Sequence, residues 1–200
     1  MTATVNPFDW SGGHPALDFV NTLDERPFPA PIENLAGYAD LVRFTELAGL
    51  VAPAQARQLR KLAASEHARI ARHARELREQ VYATLTALHR RKAIPAGSLR
   101  ALTAAFREAR AARELTASSG SSIARHGWLS PHAPEIPLHA CAIAIEDFLT
   151  SADRRHVRKC GALDCEVYFI DRSKGRRRHW CSMKNCGNRE KQRRWRATAE

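Results

Sequence analysis

The chain ends in a basic stretch that contains CGALDC at residues 160–165 and CSMKNC at residues 181–186. Each segment carries two cysteines with four residues between them, and fifteen residues separate the two pairs. A zinc ion takes four ligands in a tetrahedron, and two short loops with two thiolates each can supply them. The spacing therefore predicts one Zn²⁺ site. Its predicted ligands are Cys160, Cys165, Cys181 and Cys186.

The same residues allow two alternatives to a four-cysteine site. Disulfides are the main competitor, but residues 1–7 lack the basic stretch and apolar run of a signal peptide. We therefore expect a cytoplasmic protein with reduced thiols, which favours metal. His179, two residues before Cys181, could replace one cysteine. Four thiolates leave no position for water, so the zinc is expected to be structural and not catalytic.

The positive charge of the chain is concentrated around these cysteines. The formal net charge is +11. Residues 151–196 contain fifteen Lys or Arg and five Asp or Glu, a surplus of ten, whereas the rest of the chain contains seventeen and sixteen, a surplus of one. Four thiolates and one Zn²⁺ would remove about two of these charges. The uneven distribution predicts a polyanionic partner, with a solvated charged surface as the alternative.

Residues 1–150 are predicted to form a mainly helical domain, because apolar residues recur there at helical spacing. The predicted helices run over residues 34–48, from residue 53 onwards, and over residues 66–91, 98–113 and 138–151. A small β-hairpin is expected between the last two, with its turn near Gly120. The longest strictly apolar run, residues 140–145, is far shorter than the roughly 20 residues that cross a bilayer, so no membrane segment is expected.

Several positions in this helical pattern carry specific expectations. Asn34 is a reasonable N-cap for the helix that follows it, and Leu47 belongs to the apolar stripe of that helix. In the long helix, Leu88 extends the apolar stripe, while Arg78 is expected on the solvated side among other arginines. Cys141 is expected in the core as a small hydrophobe and not as a fifth metal ligand.

A motif near the N-terminus reads GHPALDFVNTL at residues 13–23, and its proline suits the first turn of a helix. Polar side chains within it could line a small-ligand pocket. They are His14, Asp18, Asn21 and Thr22. Alternatively, Asp18 caps a helix or loop, and Asn21 and Thr22 hydrogen-bond the chain that follows. The sequence contains no nucleophile elbow, phosphate-binding glycine loop or paired acid motif, so no enzyme is expected.

Residues 151–200 are predicted to form a treble-clef-like zinc module. The β-prone residues 167–170 and 177–180 are expected to pair as a hairpin, with Gly175 available for a left-handed turn position. The second cysteine pair leads into residues 187–196, which lack proline and read as a helix. Backbone N–H groups at the start of that helix could donate to the thiolates.

Basic side chains of this module form the predicted nucleic-acid surface. On the C-terminal helix, donors spaced three, four and seven residues apart fall on one side and suit phosphate oxygens or guanine edges. The predicted contact residues are Arg176, Arg177, Arg178, Arg189, Lys191, Gln192, Arg193, Arg194 and Arg196. Trp195 could stack on a base, although packing on the hairpin is favoured because a small module has few apolar groups to spare.

These segments resemble two known protein families. CSMKNCGNR at residues 181–189, preceded by the first cysteine pair and by Phe169-x-Asp171, is similar to the CGNR zinc finger. LDFVNT at residues 17–22 resembles a motif of the ABATE domain, so the resemblance spans nearly the whole chain. It implies an ABATE-like domain over residues 1–150, a zinc finger over residues 151–200, and a bacterial, stress-related transcription regulator.

Three functions remain open at this stage. The first is a DNA-binding regulator whose helical body senses a signal or forms a homodimer. The second is an RNA-associated or ribosome-associated protein, because a small basic zinc module suits RNA phosphates equally well. The third is a sensor whose helical body binds a small-molecule effector, with the zinc module as an accessory.

Overall fold

The computed structural model describes residues 7–117 and 124–198. Contacts between Cα atoms divide the chain into two compact units, residues 1–34 with 150–200 and residues 35–149. The first unit combines the N-terminal segment with the cysteine-rich module, a grouping that sequence order does not indicate. The domain boundaries 1–150 and 151–200 stay a prediction, because compactness does not test which segments fold independently.

Helices account for most of the regular structure, which confirms the prediction of a mainly α protein. The helices are α1 (Pro15–Val20), α2 (Tyr38–Leu47), α3 (Pro53–Leu59), α4 (His67–His89), α5 (Ala96–Ala111), α6 (Ile136–Thr150) and α7 (Asn188–Ala197). The strands are β1 (Leu23–Asp24), β2 (Ile32–Glu33), β3 (Arg113–Ala117), β4 (Ala124–Trp128), β5 (Val157–Lys159) and β6 (Tyr168–Ile170). They form three antiparallel pairs, β1 with β2, β3 with β4 and β5 with β6.

The core of the unit formed by residues 35–149 follows from the apolar stripe of α4. Side chains on this stripe recur at intervals of four and seven residues, which places them on one face of a helix. They are Ile70, Leu77, Val81 and Leu85, and all are buried. Helix α6 is apolar on most of its surface and is buried along most of its length. Cys141 lies in α6, where burial raises the pKa of its thiol, so it is a core hydrophobe as predicted.

The predicted hairpin in this unit is confirmed by the pairing of β3 with β4, in which Leu115 lies opposite His126. Its predicted turn near Gly120 lies outside the described residues. None of the helices in residues 7–117 and 124–198 combines the length and the apolar character that a membrane span requires.

Helix α2 begins later than the sequence pattern indicates, so the prediction of Asn34 as its N-cap was wrong. The helix starts at Tyr38, and Gly37 is the N-cap. The Asp40 carboxylate accepts a hydrogen bond from the Gly37 N–H at 2.9 Å, and this contact caps the helix. The Asn34 N–H instead donates to the carbonyl of Thr22 at 3.0 Å.

The burial of three side chains differs from the prediction. Leu47 and Leu88 are 50% and 44% exposed, because each lies at the C-terminal end of its helix, beyond the packed region. Arg78, expected in solvent, is only 2% exposed and pairs with Glu79 at 2.9 Å between Nε and Oε1. Helix α4 contacts both α2 and α5, so less of its circumference is solvated than its charge pattern suggests.

The hairpin of the zinc module has a different strand partner from the expected one. Strand β6 pairs with β5, which precedes the first cysteine, and residues 177–180 are not a strand. The left-handed turn position is taken by Arg176, with a φ of 50°, and not by Gly175. The predicted helix after the second cysteine pair is confirmed as α7.

Candidate metal centre

Four cysteine sulfurs converge in the unit formed by residues 1–34 and 150–200. The Sγ atoms of Cys160, Cys165, Cys181 and Cys186 all lie within 4.8 Å of one another. The sulfur of Cys181 lies 3.9 Å from that of Cys165 and 3.6 Å from that of Cys186. A tetrahedral zinc ion with Zn–S bonds of about 2.3 Å separates its ligand sulfurs by roughly 3.8 Å. The cluster therefore fits one Zn²⁺.

Short-range backbone geometry positions each cysteine pair. Cys160 follows β5 and Cys165 precedes β6, so the hairpin brings both ends of the intervening loop together. The Cys160 N–H donates to the Val167 carbonyl at 2.9 Å. Cys181 and Cys186 flank a tight turn that leads into α7, and the Cys181 N–H donates to the Cys160 sulfur at 3.4 Å. Such N–H donors stabilise thiolate ligands.

The electrostatics of the cluster favour a cation. Thiols of Cys165 and Cys181 donate hydrogen bonds to Cys160, which lowers the pKa of Cys160 and raises the pKa of both donors. Burial raises the pKa of Cys186. Four thiolates at this separation repel one another strongly, so all four ionise together only with a metal ion among them. The donor set of four sulfurs suits zinc, in a closed and therefore structural site.

Neither alternative to four-cysteine coordination matches the structure. All five cysteines are free, and the sulfur separations far exceed the roughly 2.05 Å of a disulfide. His179 lies outside the ligand cluster that the described residues form. Its ring packs so closely on Gly161 that a Cβ at Gly161 would overlap the imidazole. A larger residue at position 161 would therefore require the exposed His179 ring to move.

The segment that follows the second cysteine pair holds α7 against the metal site. A Cβ at Gly187 would lie 2.8 Å from the Met183 sulfur, so a larger residue there would require the Met183 side chain to move. The Asn188 side chain donates to the Lys184 carbonyl at 3.2 Å and caps the turn. Arg189 donates to the Cys186 sulfur at 3.4 Å and to the Asp164 carboxylate at 2.7 Å. This arginine thus joins the helix to both cysteine loops.

Asp171 and Arg178 organise the loop between the cysteine pairs, a structural role that the sequence pattern did not predict for either residue. Asp171 is 1% exposed and accepts hydrogen bonds from the hydroxyl and N–H of Ser173 and from the N–H of Arg178. Burial alone would raise the pKa of Asp171, but these donors and Arg158 hold it below its usual value. The Arg178 guanidinium lies 4.5 Å from the Phe169 ring centroid and donates to the carbonyls of Trp180 and Cys181.

The N-terminal motif packs against the same module. Asn21 donates to the Tyr168 carbonyl at 3.0 Å and accepts from the Tyr168 N–H at 3.1 Å, so its side chain pairs with β6 as a neighbouring strand would. The Ile170 N–H donates to the Gly12 carbonyl at 2.9 Å. A distance of 147 residues in the chain separates Asn21 from Tyr168. Asn21 therefore has a structural role, because its side chain joins the N-terminal motif to β6.

The other polar residues of the motif also make hydrogen bonds within it. His14 Nδ1 accepts from the Ala16 N–H at 3.1 Å and caps α1. Asp18 accepts from the Gly12 N–H at 2.9 Å, and the Thr22 hydroxyl donates to the Phe19 carbonyl at 2.7 Å. The Asp18 contact agrees with the structural alternative, whereas the Thr22 hydroxyl bonds the preceding residue Phe19 and not the chain that follows. A ligand pocket at His14, Asp18, Asn21 and Thr22 stays a prediction.

Asp18 should make the stability of this unit depend on pH. Burial raises its pKa from 3.8 to about 7; the Gly12 N–H lowers the pKa and the charge of Asp9 raises it. A raised pKa means that the folded state binds the proton more tightly, so stability is lost as pH rises through about 7. Between pH 6 and 8, the zinc-loaded wild type should lose about 1 kcal/mol relative to Asp18→Asn.

Urea unfolding of the zinc-loaded proteins at pH 6, 7 and 8 measures this difference. Asp24→Asn is the control, because Asp24 is exposed and its substitution should leave the pH dependence of the wild type intact. Parallel curves for the wild type and Asp18→Asn would contradict the assignment.

The structure divides the predicted nucleic-acid residues into two groups. Arg176, Arg178, Arg189 and Arg193 contact the module itself: the first two donate to backbone carbonyls, and the other two pair with Asp164 at 2.7 and 3.1 Å. The exposed side chains without an assigned partner in the described chain are Arg177, Lys191, Gln192, Arg194 and Arg196.

Trp195 is 72% exposed, so the prediction that it packs on the hairpin was wrong. The small core around the cysteines is completed by Phe169 and Trp180 instead.

Four converging cysteines between a short hairpin and a basic helix define this chain as a zinc-finger protein. Comparison with family models agrees: residues 156–199 match the CGNR zinc finger, and residues 13–152 match ABATE, described as "Putative stress-induced transcription regulator". Because the second match covers more than half of the sequence, the chain belongs to the ABATE family. A search of curated proteins found no match. Neither family description names an enzymatic activity.

Proposed function

We propose that this protein binds DNA through α7 and thereby regulates transcription. The observation that carries the proposal is an exposed tryptophan on a basic helix beside a zinc centre: Trp195 is 72% exposed and lies between Arg194 and Arg196. A large aromatic side chain in water costs free energy unless a partner covers it. The family description as a transcription regulator supports DNA as that partner.

The contact face on α7 follows from the side that is buried. Glu190 is 8% exposed and pairs with Arg193, so this side of the helix belongs to the module. Successive residues of a helix are rotated by about 100°, which puts four side chains in an arc of about 140° nearly opposite Glu190. They are Lys191, Gln192, Trp195 and Arg196. We assign this arc as the DNA-facing surface.

Each side chain in this surface has chemistry that suits nucleic acid. Lys191 and Arg196 can neutralise phosphates, and Gln192 can donate and accept hydrogen bonds at a base edge. Trp195 offers a flat apolar surface for sugar or base. Arg189 and Arg193, tied to Asp164, keep α7 in place and contribute positive potential at longer range.

The double substitution Lys191→Ala with Arg196→Ala should weaken DNA binding about 10- to 100-fold, because two phosphate contacts are lost. The slope of log affinity against log salt should become shallower by about two. Fluorescence anisotropy of the zinc-loaded protein on labelled duplex DNA, titrated with salt, gives both quantities. Selection from a random DNA pool provides the preferred site for these measurements.

The matched control is Arg57→Ala with Arg100→Ala, which removes the same charge from exposed residues outside the module. It should change affinity only slightly. Equal losses in both double variants would mean that net charge, and not this surface, drives binding. Competition by structured RNA at concentrations where duplex DNA fails to compete would replace DNA by RNA as the partner.

A further inference from the structure

A second site lies in the other compact unit, residues 35–149, away from every motif that sequence reasoning selected. Helices α4, α5 and α6 line a cavity of about 400 Å³ that is open to solvent. This volume falls in the lower part of the roughly 300–1,000 Å³ range of small-molecule pockets. The residues that determine its chemistry are Leu77, Gln80, Ala104, Glu108, Leu138 and His139.

The space arises from small residues on two facing helices. Ala101, Ala104 and Ala105 lie on α5, and Ala142 lies on α6, where larger side chains would fill the gap between helices. The apolar part of the wall is completed by leucines of α4 and α6. Alanines at a helix–helix contact normally allow the two helices to pack closely. Here four alanines border an open space instead, which leaves room for a guest molecule.

The polar part of the wall contains two carboxylates beside His73, Gln80 and His139. Glu76 and Glu108 line the cavity, and no Lys or Arg is among its lining residues. Glu108 forms no ion pair with the described residues, and Glu76 pairs with Arg72 at 3.7 Å between Oε1 and Nε. A carboxylate without a partner at the edge of an apolar cavity attracts a cation and repels an anion.

Two further side chains complete the polar wall. His139 lines the cavity, while its Nδ1 atom is buried in the protein and has no hydrogen-bond partner in the described chain. Burial lowers the pKa of His139, so the ring is neutral near pH 7 and does not oppose a cation. The Ser98 hydroxyl donates to Gln80 Oε1 at 2.9 Å, which orients the Gln80 amide with its NH₂ group available as a donor.

We propose that this pocket binds a small organic cation with an apolar body, in which an ammonium group faces Glu108 and the apolar part lies against Ala104, Leu77 and Leu138. The two leucines and the alanines supply the apolar contact area, and Glu108 with Glu76 selects for positive charge. The site is independent of the nucleic-acid surface on α7. The proposed effector of the unit formed by residues 35–149 is therefore an apolar amine.

Binding is tested with benzylamine, 2-phenylethylamine and cyclohexylamine as probes, and with benzyl alcohol and phenylacetate as neutral and anionic counterparts. Calorimetric titration and thermal unfolding of the zinc-loaded full chain are the readouts. At least one amine should bind saturably and raise the unfolding temperature in a concentration-dependent way. Benzyl alcohol should bind more weakly, and phenylacetate should not bind.

Two variants locate the site. Ala104→Leu places an apolar side chain in the cavity and should weaken amine binding at least tenfold, whereas the control Thr103→Leu, at an exposed position of the same helix outside the cavity wall, should not. Glu108→Gln should weaken it by about fivefold, the effect of one partly exposed ion pair. Ala104 is exposed and leucine is a strong helix former, so Ala104→Leu should remain folded.

Several results would overturn the proposal. They are no saturable binding by any of the three amines, binding of phenylacetate as strong as that of the amines, or undiminished amine binding in Ala104→Leu. Loss of amine binding in both Ala104→Leu and Thr103→Leu would also count against this location. None of these results bears on DNA binding by α7, which is measured separately.

Discussion

Replacement of Cys160 by Ser should release the zinc and unfold the compact unit formed by residues 1–34 and 150–200. A serine hydroxyl is a poor zinc ligand, and the remaining three thiolates hold an incomplete shell. The apolar core near the site is small, with Phe169 and Ala162 as its main buried members besides the cysteines. Structural zinc commonly supplies about 10–16 kcal/mol of apparent folding free energy in such modules, more than this core can replace.

The unit of residues 35–149 should keep its helices in Cys160→Ser. Its core is built by α2 to α6, with Leu41, Ile70 and Ile145 fully buried and no part in metal binding. Elemental analysis gives the zinc content, and backbone NMR or hydrogen exchange distinguishes the two units, which far-UV circular dichroism alone does not. Cys141→Ala is the control, since it removes a thiol from α6 and should retain one zinc per chain.

Stoichiometric zinc in Cys160→Ser would contradict the ligand assignment. Loss of exchange protection in α4 and α6 together with the module would instead show that the two units fold as one cooperative body. These two outcomes are distinguishable because the first concerns the metal and the second concerns the distribution of stability.

The second large effect is expected from Asn21→Ala, which should destabilise the zinc-containing unit by about 2–5 kcal/mol. The substitution deletes the two hydrogen bonds, at 3.0 and 3.1 Å, that join the Asn21 side chain to the backbone of Tyr168. Both residues are buried, so water does not readily replace the lost bonds. Asn21→Ala should also lose zinc faster to a chelator, because β6 follows Cys165 directly after the loop.

Urea unfolding of the zinc-loaded proteins, followed by a probe in the module such as Trp180 fluorescence in a variant lacking the other tryptophans, measures this loss. Asn34→Ala in the same unit is the matched control, because the Asn34 side chain is only half-buried and makes no assigned hydrogen bond. A loss below about 0.5 kcal/mol, or one equal to that of Asn34→Ala, would mean that the contact with β6 contributes little.

The secondary structure was largely predictable because its signals are local. Pro15 marks the start of α1, and the stripe of Ile70, Leu77 and Val81 identifies α4 without knowledge of what covers it. Predictions failed where a neighbouring element decides the outcome. Arg78 is charged and still buried, and β6 pairs with β5 because residues 171–180 are held as a loop by Asp171.

The same distinction between local signals and contacts in space applies to the candidate sites. The zinc ligands were predictable because two short loops bring their own sulfurs together, and only their mutual approach needs the fold. The side of α7 that faces solvent was not predictable from the sequence. A helix of mostly basic residues has no apolar stripe to identify its buried face. The cavity between α4, α5 and α6 has no sequence signal, because alanines usually indicate close packing and not space.

The sequence by itself determined the four zinc ligands, the mainly helical class and the basic character of the C-terminal module, because each depends on residue type and short spacing. Only the tertiary structure decided that Asn21 braces β6 across 147 residues of chain, that Trp195 faces solvent and that α4, α5 and α6 leave a cavity with two carboxylates in its wall. The physical reason is that burial and hydrogen-bond partners are properties of neighbours in space, and neighbours distant in sequence leave no periodic pattern in a single chain.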